Sequence, residues 1–326
     1  MIVVIGEALI DLIEDKSTAG RYQAVVGGAN ANVAIALARV GAKQQLLARI
    51  SSDPFGQKIR KRLVDNKVGL DYAIAAKEPT SVAIASIGSS GGASYSFYVE
   101  NTADWGWSEE ELPTQQTMAA IGATALQFGC LTMAMPPGNA VIEAWARKFF
   151  EDDLLTLSHD VNVRPALGFD RDAERARVER VNSFSHLIKA SDDDINWLYG
   201  LETGSNVDQI AWDWIGESEK IVFVTRGGDG VSIYRKNKTK LDVPARKVNV
   251  KDSVGAGDTF CANTLAQLQS IGALGSNAFE KLASLTDKQL IEIARVSSVA
   301  ASMACEKTGA EPPTDSELAD LLVLLA

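Results

Sequence analysis

Asp252-Ser253-Val254-Gly255-Ala256-Gly257-Asp258-Thr259-Phe260 is the stretch of this chain best equipped for chemistry. It lies between a polar, strand-like region and a run with helical spacing over 257–271. Gly255 and Gly257 lack a Cβ, so the turn they make can approach a ligand closely. The first N–H groups of the helix that follows have no intrahelical partner. Gly255, Ala256 and Gly257 would therefore present backbone amides to an anion such as phosphate. Asp258 places a carboxylate at the mouth of that site. A carboxylate repels a resting phosphate, so its position suits a base that takes a proton from a hydroxyl attacking the phosphate. The plain alternative is a helix cap, since Asp at a helix start accepts free amides and suits the dipole. Other phosphate motifs are excluded: the string has no G-x-x-x-x-G-K-[ST], and no third glycine completes G-x-G-x-x-G.

A second glycine-rich turn feeds a helix near the other end of the chain: Gly27-Gly28-Ala29-Asn30-Ala31-Asn32-Val33-Ala34, continuing to Leu37-Ala38-Arg39-Val40-Gly41. The two strings resemble the N-terminal and C-terminal signatures of the ribokinase-like (PfkB-type) sugar kinases and occur in that family's order. The resemblance runs from Gly6-Glu7 to Gly309. It implies a single ribokinase-like α/β domain over 1–326: a mainly parallel, Rossmann-like three-layer sheet with helices on both faces. It also implies a small β-sheet lid from two separate segments, about 8–26 and 82–104. The implied reaction is in-line phosphoryl transfer from ATP to a sugar primary hydroxyl, fructose first, with Asp258 as base and Gly255, Ala256 and Gly257 as the anion hole; 2-keto-3-deoxygluconate, a nucleoside or riboside as acceptor, and a sugar-sensing binding protein on a kinase scaffold, are the alternatives. Mg²⁺ and a monovalent cation such as K⁺ are the implied ions, and the lid often forms a dimer contact in such proteins.

The remaining site residues follow motif by motif. Asp11 is an acidic residue within Ala8-Leu9-Ile10-Asp11-Leu12-Ile13. On a strand it shares a face with Leu9 and Ile13, which is costly unless it finds partners. It is either a bulge or exposed-edge residue or, as the resemblance implies, the carboxylate that grips the sugar. Gly27 and Gly28 would be the hinge between lid and core, Asn32 a sugar contact or only a helix-start residue, and Phe97 a lid contact to the sugar. Fructokinase-like members usually carry Pro where Asn30 stands here. Asp160-Val161-Asn162-Val163-Arg164 matches the D-x-N-x-R of fructokinases and 2-keto-3-deoxygluconate kinases. Arg164 would reach the substrate or the transferred phosphoryl group, or else make a surface ion pair. The Trp that often follows in fructokinases is replaced by Gly168-Phe169, whereas Ala103-Asp104-Trp105-Gly106-Trp107 again resembles them. Ser191 and Asp194 stand where relatives have N-x-x-E or S-x-x-E, implying a nucleotide contact and a water-mediated Mg²⁺ contact. They read equally as a helix cap. Thr225, Gly227 and Gly230 fit the family's T-x-G-x-x-G nucleotide segment, and the segment 294–309 would line the adenine. Asp252 would help to hold the monovalent cation, with Ser253 in place of the commoner Thr.

These residues need a frame to hold them. Strand-like runs at 1–6, 44–50, 123–128, 155–160, 186–189 and 220–225 alternate with helical patterns at 30–41, 54–67, 137–151, 171–183, 206–215, 257–271 and 286–306. That order predicts a mainly parallel sheet covered on both faces. The order breaks at 8–26 and 82–99. In the second, Tyr95, Phe97 and Val99 alternate with Ser94 and Ser96, and Gly91-Gly92 supplies a hairpin turn. The stretch from Leu318 to Ala326 reads as a packed last helix.

Composition sets the outer limits. With 46% hydrophobic residues the chain can bury a sizeable core, and a formal net charge of -10 disfavours nucleic acid or an anionic membrane as partners. The N-terminal Met1–Gly6 run reads as a strand rather than a signal peptide, and no apolar run approaches a membrane span. Cys130, Cys261 and Cys305 suit a cytoplasmic location and read as small buried apolar residues. His159 and His186 lack partners at zinc spacing and read as strand-end residues.

Overall fold

The computed structural model describes residues 1–15, 18, 20–87, 93–201 and 206–325; the expected Gly91-Gly92 turn lies outside them. In chain order the first strands are β1 (Ile2–Ile5), β2 (Leu9–Glu14), β3 (Tyr22–Gly27), β4 (Gln44–Leu47), β5 (Arg49–Ser51), β6 (Ile74–Ala76), β7 (Val82–Ile87) and β8 (Ala93–Tyr98). The second half adds β9 (Ala125–Gly129), β10 (Thr156–Asp160), β11 (Leu187–Ser191), β12 (Ile221–Thr225), β13 (Val231–Arg235) and β14 (Leu241–Val243).

The large sheet has the order β14-β13-β12-β11-β10-β9-β1-β4. Its strands from β12 to β4 are parallel to their neighbours, and β13 runs antiparallel to both β12 and β14. Period-two alternation divides the central strands between two apolar layers. Ile2 and Val4 pack with Leu37 of the helix Ala29–Arg39 and Phe260 of the helix Ala256–Ser270. Val3 and Ile5 pack on the opposite side with Ile142 and Phe149 of the helix Gly138–Glu151. Each fully buried side chain of this kind stabilises by about 1.5–3 kcal/mol. A strand covered on both sides therefore needs no polar alternation, which is why β1 reads as a continuous apolar run.

Two expectations change. The strand read over 44–50 is two: β4 ends at Leu47, and β5 pairs with β6 in a separate parallel ribbon. Arg49 anchors that ribbon by donating to Ala103 O at 2.9 Å and to Glu78 at 2.9 Å. The antiparallel edge, β13 and β14, was not anticipated. A strand that returns through a tight turn needs no crossover helix, so it leaves no βα alternation to read.

The lid is a four-stranded sheet, β3-β2-β7-β8. Asp11 lies opposite Val25 on β3 and Ala83 on β7, so it shares its face with Leu9 as the alternation required. Leu9 and Phe97 meet Trp105, Cys130, Leu131 and Met135 at the rim of the core. The second lid segment is shorter than 82–104, because Ala103–Trp105 is a single helical turn with Trp105 in that rim cluster. Cys130 and Cys261 are buried, but Cys305 is only half-buried, because it is the last residue of the helix Asp287–Cys305. His159 and His186 are structural. Burial lowers their pKa values to about 3 and about 4, and their ring nitrogens bond Asn182 and the Leu157 N–H.

Candidate active site

Between β4, β1 and β9 the strand order reverses, and the crevice at the carboxyl ends of such strands is where α/β sheets bind ligands. The carboxyl ends of β1, β9 and β10 deliver Glu7, Cys130 and the 160–164 segment to this crevice, and two helix N-termini, at Ala29 and Ala256, open beside it.

Asp258 is buried in the first turn of the helix Ala256–Ser270. Its carboxylate does not cap that helix; Oδ2 accepts from Asn32 Nδ2 at 2.8 Å. Burial raises the Asp258 pKa above the usual carboxylate value. Asn32, Lys189 and Arg164 oppose the shift, and Glu7 adds to it. Gly255 is required by its backbone and its neighbours, whereas Gly257 leaves room for the end of a lysine side chain. Gly255 has φ +77, and a Cβ there would lie 2.6 Å from Ala310 Cβ. A Cβ at Gly257 would lie 2.8 Å from Lys189 Nζ.

Arg164 links core and lid electrostatically: its charge acts on Asp258 and on Asp11. Its guanidinium is held from below, donating to Asn162 Oδ1 and, at 3.1 Å, to Val163 O. The surface ion pair weighed for it above does not form among the described residues. Cys130 at φ +53 and Asn162 at φ +37 are non-glycine residues in left-handed conformations. Each costs of order 1–3 kcal/mol, and such strain collects where a site needs one backbone path. Burial raises the Asp11 pKa to about 6, against the pull of Arg164. Gly27 makes room for it, since a Cβ there would lie 2.1 Å from Asp11 Oδ2.

Three site residues were missed. Lys189 on β11 is buried and donates to Asp160 Oδ1 at 3.0 Å and Oδ2 at 3.2 Å. Burial works against its charge, but Asp160, Asp194 and Asp258 outweigh it and its pKa lies above the ordinary value. The available signal was a lone lysine inside the apolar run Leu187-Ile188-Lys189-Ala190. Glu7 is also buried. Its Oε1 accepts the Ala29 N–H at 2.9 Å, and its Oε2 accepts Asn30 Nδ2 at 2.9 Å and the Thr132 hydroxyl. Asn30 Nδ2 also donates to Gly129 O at 3.2 Å, so the residue that departs from Pro bridges the ends of β1 and β9. The third is Asp104, which accepts the Ala8 N–H at 2.8 Å.

The expected nucleotide residues divide by packing. Thr225 ends β12, and Gly227, at φ +50, faces open space. Gly230 is instead fixed by the protein, for a Cβ there would lie 2.1 Å from Val243 O. Ser191 and Asp194 form a capping box: Asp194 Oδ2 accepts the Ser191 N–H at 2.8 Å, and Oδ1 accepts the Val163 N–H at 3.0 Å. Asp252 accepts the Val254 N–H at 3.0 Å and the Gly309 N–H at 2.9 Å, tying the turn to the loop that carries Ala310.

A family model described as pfkB family carbohydrate kinase matches residues 1–317. A fructokinase from Rhizobium leguminosarum bv. trifolii is 33% identical over 271 residues, covering 82% of this chain and 80% of that protein. Among solved structures, fructokinase from Xylella fastidiosa with bound ATP superposes with a TM-score of 0.85 at 23% identity, covering 99% of this chain and 98% of that one. Fructokinase from Vibrio cholerae O395, in its fructose, ADP and calcium ion bound form, superposes with a TM-score of 0.80 at 23% identity over 98% of both chains.

Proposed function

The chain belongs to the pfkB family of carbohydrate kinases, and we propose that it transfers the γ-phosphoryl group of ATP to a primary hydroxyl of fructose. The observation that carries the reading is the buried Asp258 carboxylate, turned away from its own helix and held by Asn32 beside the Gly255–Gly257 amides. Fructose as acceptor is supported by the 33% identical relative, which is a fructokinase.

In this reading Asp258 accepts the proton of the attacking hydroxyl, and its raised pKa makes it a stronger base than a free carboxylate. Asn32 orients it. Arg164 stands between the base and the lid, where Asp11 and Phe97 receive the sugar, and Gly27 and Gly28 give the backbone close approach. The amides of Gly255 and Gly257 meet the charge that develops on the transferred group; the Ala256 N–H, expected beside them, instead donates to Ser253 O at 3.2 Å and closes the turn. Lys189 adds a fixed positive charge behind Gly257. Thr225, Gly227, Gly230 and Ser191 lie on the nucleotide side. Closure of the lid over the sugar excludes water, which would otherwise hydrolyse ATP.

The described residues hold no cluster of three or more His, Cys, Asp or Glu suited to a metal. Mg²⁺ would be carried by ATP phosphates and water, where it would neutralise phosphate charge, with Asp194 reaching it through water. Asp252 would help to hold K⁺. No helix among the described residues is long and apolar enough to cross a membrane. ATP dependence and three free cysteines support a cytoplasmic site of action.

The test is ADP release from Mg-ATP over fructose, ribose, glucose, 2-keto-3-deoxygluconate and nucleosides. Fructose is expected to give the highest kcat/KM. Preference for another member would move the substrate and keep the mechanism, and ATP binding without turnover on any would sink the kinase reading. We further propose a homodimer joined through the lid, supported by Ile13, Tyr22 and Tyr98, whose side chains remain 38%, 41% and 62% exposed there. Sedimentation equilibrium should give twice the chain mass, and Tyr98→Asp should return it to the mass of one chain. A wild-type monomer at micromolar concentration would rule this out.

A further inference from the structure

The lid joins the core through four stems: Glu7-Ala8 into β2, Gly27-Gly28 out of β3, the segment before Val82 into β7, and the segment after Tyr98 out of β8. One buried carboxylate gathers three of them. Asp104, 2% exposed, accepts the Ala8 N–H from the first stem at 2.8 Å and the Ser81 hydroxyl from the third. The Thr102 hydroxyl shares its proton between Ser81 Oγ at 2.6 Å and Val99 O at 2.9 Å, which brings in the last stem. Backbone bonds run along the same seam: Ile10 N–H to Ser81 O at 3.0 Å and Ala103 N–H to Pro79 O at 2.9 Å. The remaining stem is tied by the neighbouring Glu7, through the Ala29 N–H.

A buried carboxylate is costly, and an apolar residue of similar size would fill the same volume more cheaply. Its presence here points to a task that packing alone does not perform. Asp11 sits three residues beyond the Ala8 N–H that Asp104 holds, on the first lid strand. The angle at which β2 leaves the core therefore sets where Asp11 stands relative to Arg164 and Asp258.

We propose that Asp104 is a positioning residue for the sugar: by clamping three lid stems through Ala8, Ser81 and Thr102, it fixes the lid at the tilt that brings Asp11 to the acceptor. The inference rests on the sugar-kinase reading above. A group that only supports the fold changes the fraction of active enzyme, which lowers kcat and leaves both KM values alone. A positioning group for the lid raises the KM of the sugar and spares that of ATP, whose residues lie on the core.

The experiment compares wild type with Asp104→Asn, which keeps size and an acceptor for Ala8, and with Ser81→Ala, which removes a single hydroxyl should the first variant fail to fold. Hydrogen–deuterium exchange of the whole protein comes first and needs no substrate. Both variants should exchange faster in β2 and β7, with β9 and β10 unchanged. With the acceptor identified by the panel, sugar KM should rise about tenfold, the equivalent of one lost hydrogen bond to a charged group, while ATP KM stays within about twofold. Unchanged lid exchange in a folded variant, or sugar and ATP KM rising together, would overturn the role of Asp104. Absence of any sugar turnover in wild type would count against the kinase reading alone, because the exchange result stands without it.

Discussion

Asp258→Asn lowers turnover by about 10³-fold, the upper part of the range for losing a positioned base, and leaves nucleotide affinity within about twofold. The amide keeps an oxygen for Asn32 to donate to, so the change removes the base and not the local geometry. The same substitution raises thermal stability at neutral pH. Burial raises the folded-state pKa of Asp258 above its value in the unfolded chain. The folded state therefore binds more protons than the unfolded one over that interval, so this carboxyl contributes stability in acid that is lost as pH rises through the folded pKa. Asp104, raised to about 7 first by burial, and Asp11, raised to about 6, act in the same direction. Asparagine at 258 ends this loss for one of them. The midpoint of thermal unfolding should rise by about 2 °C at pH 8, the order expected for ~1 kcal/mol in a chain of this size, and by less at pH 5. Turnover above a tenth of wild type would remove Asp258 from the base role. A variant less stable at pH 8 than at pH 5, relative to wild type, would contradict the assigned burial cost.

Lys189→Met has the second large effect, and it acts on stability and turnover together. The ammonium is the ion-pair partner of Asp160, at 3.0 Å, and both side chains are almost fully buried. Removing one member of such a pair leaves an uncompensated buried charge, at a cost of about 3–5 kcal/mol. Asp194 and Asp258 lie close enough to act on Lys189 as well, so its loss leaves negative charges facing one another behind the anion hole. Turnover should fall about 10²-fold, because a positive charge next to the Gly257 amide no longer meets the developing phosphoryl charge. The double variant Lys189→Met/Asp160→Asn separates the two effects. It should recover most of the denaturant midpoint, since the carboxylate that lost its ion-pair partner is gone, without recovering turnover. Recovery of both would make the pair purely structural. Wild-type stability in Lys189→Met alone would show that Asp160 is neutral when unpaired and that the ion pair contributes little.

The sequence by itself determined the reaction class and the fold class, and it pointed to one short string as the site of the chemistry. Gly255, Ala256, Gly257 and Asp258 lie side by side, so close backbone approach, free amides and a carboxylate can all be read from one short string. The alternation of Leu9, Asp11 and Ile13 likewise placed Asp11 on its correct lid face, because a strand has a period of two whatever it packs against. Tertiary structure alone decided what those groups touch. Asn32 meets Asp258 across 226 positions, Glu7 meets Thr132 across 125, Asp104 meets Ala8 across 96 and Lys189 meets Asp160 across 29. No local period or propensity encodes such pairs. They exist because the parallel sheet brings the ends of β1, β9 and β10 to one crevice, where burial turns ordinary Asp, Glu and Lys side chains into partners that must satisfy one another. The same packing ties Ser191 and Asp194 into a capping box, and turns Asp258 away from its helix towards Asn32.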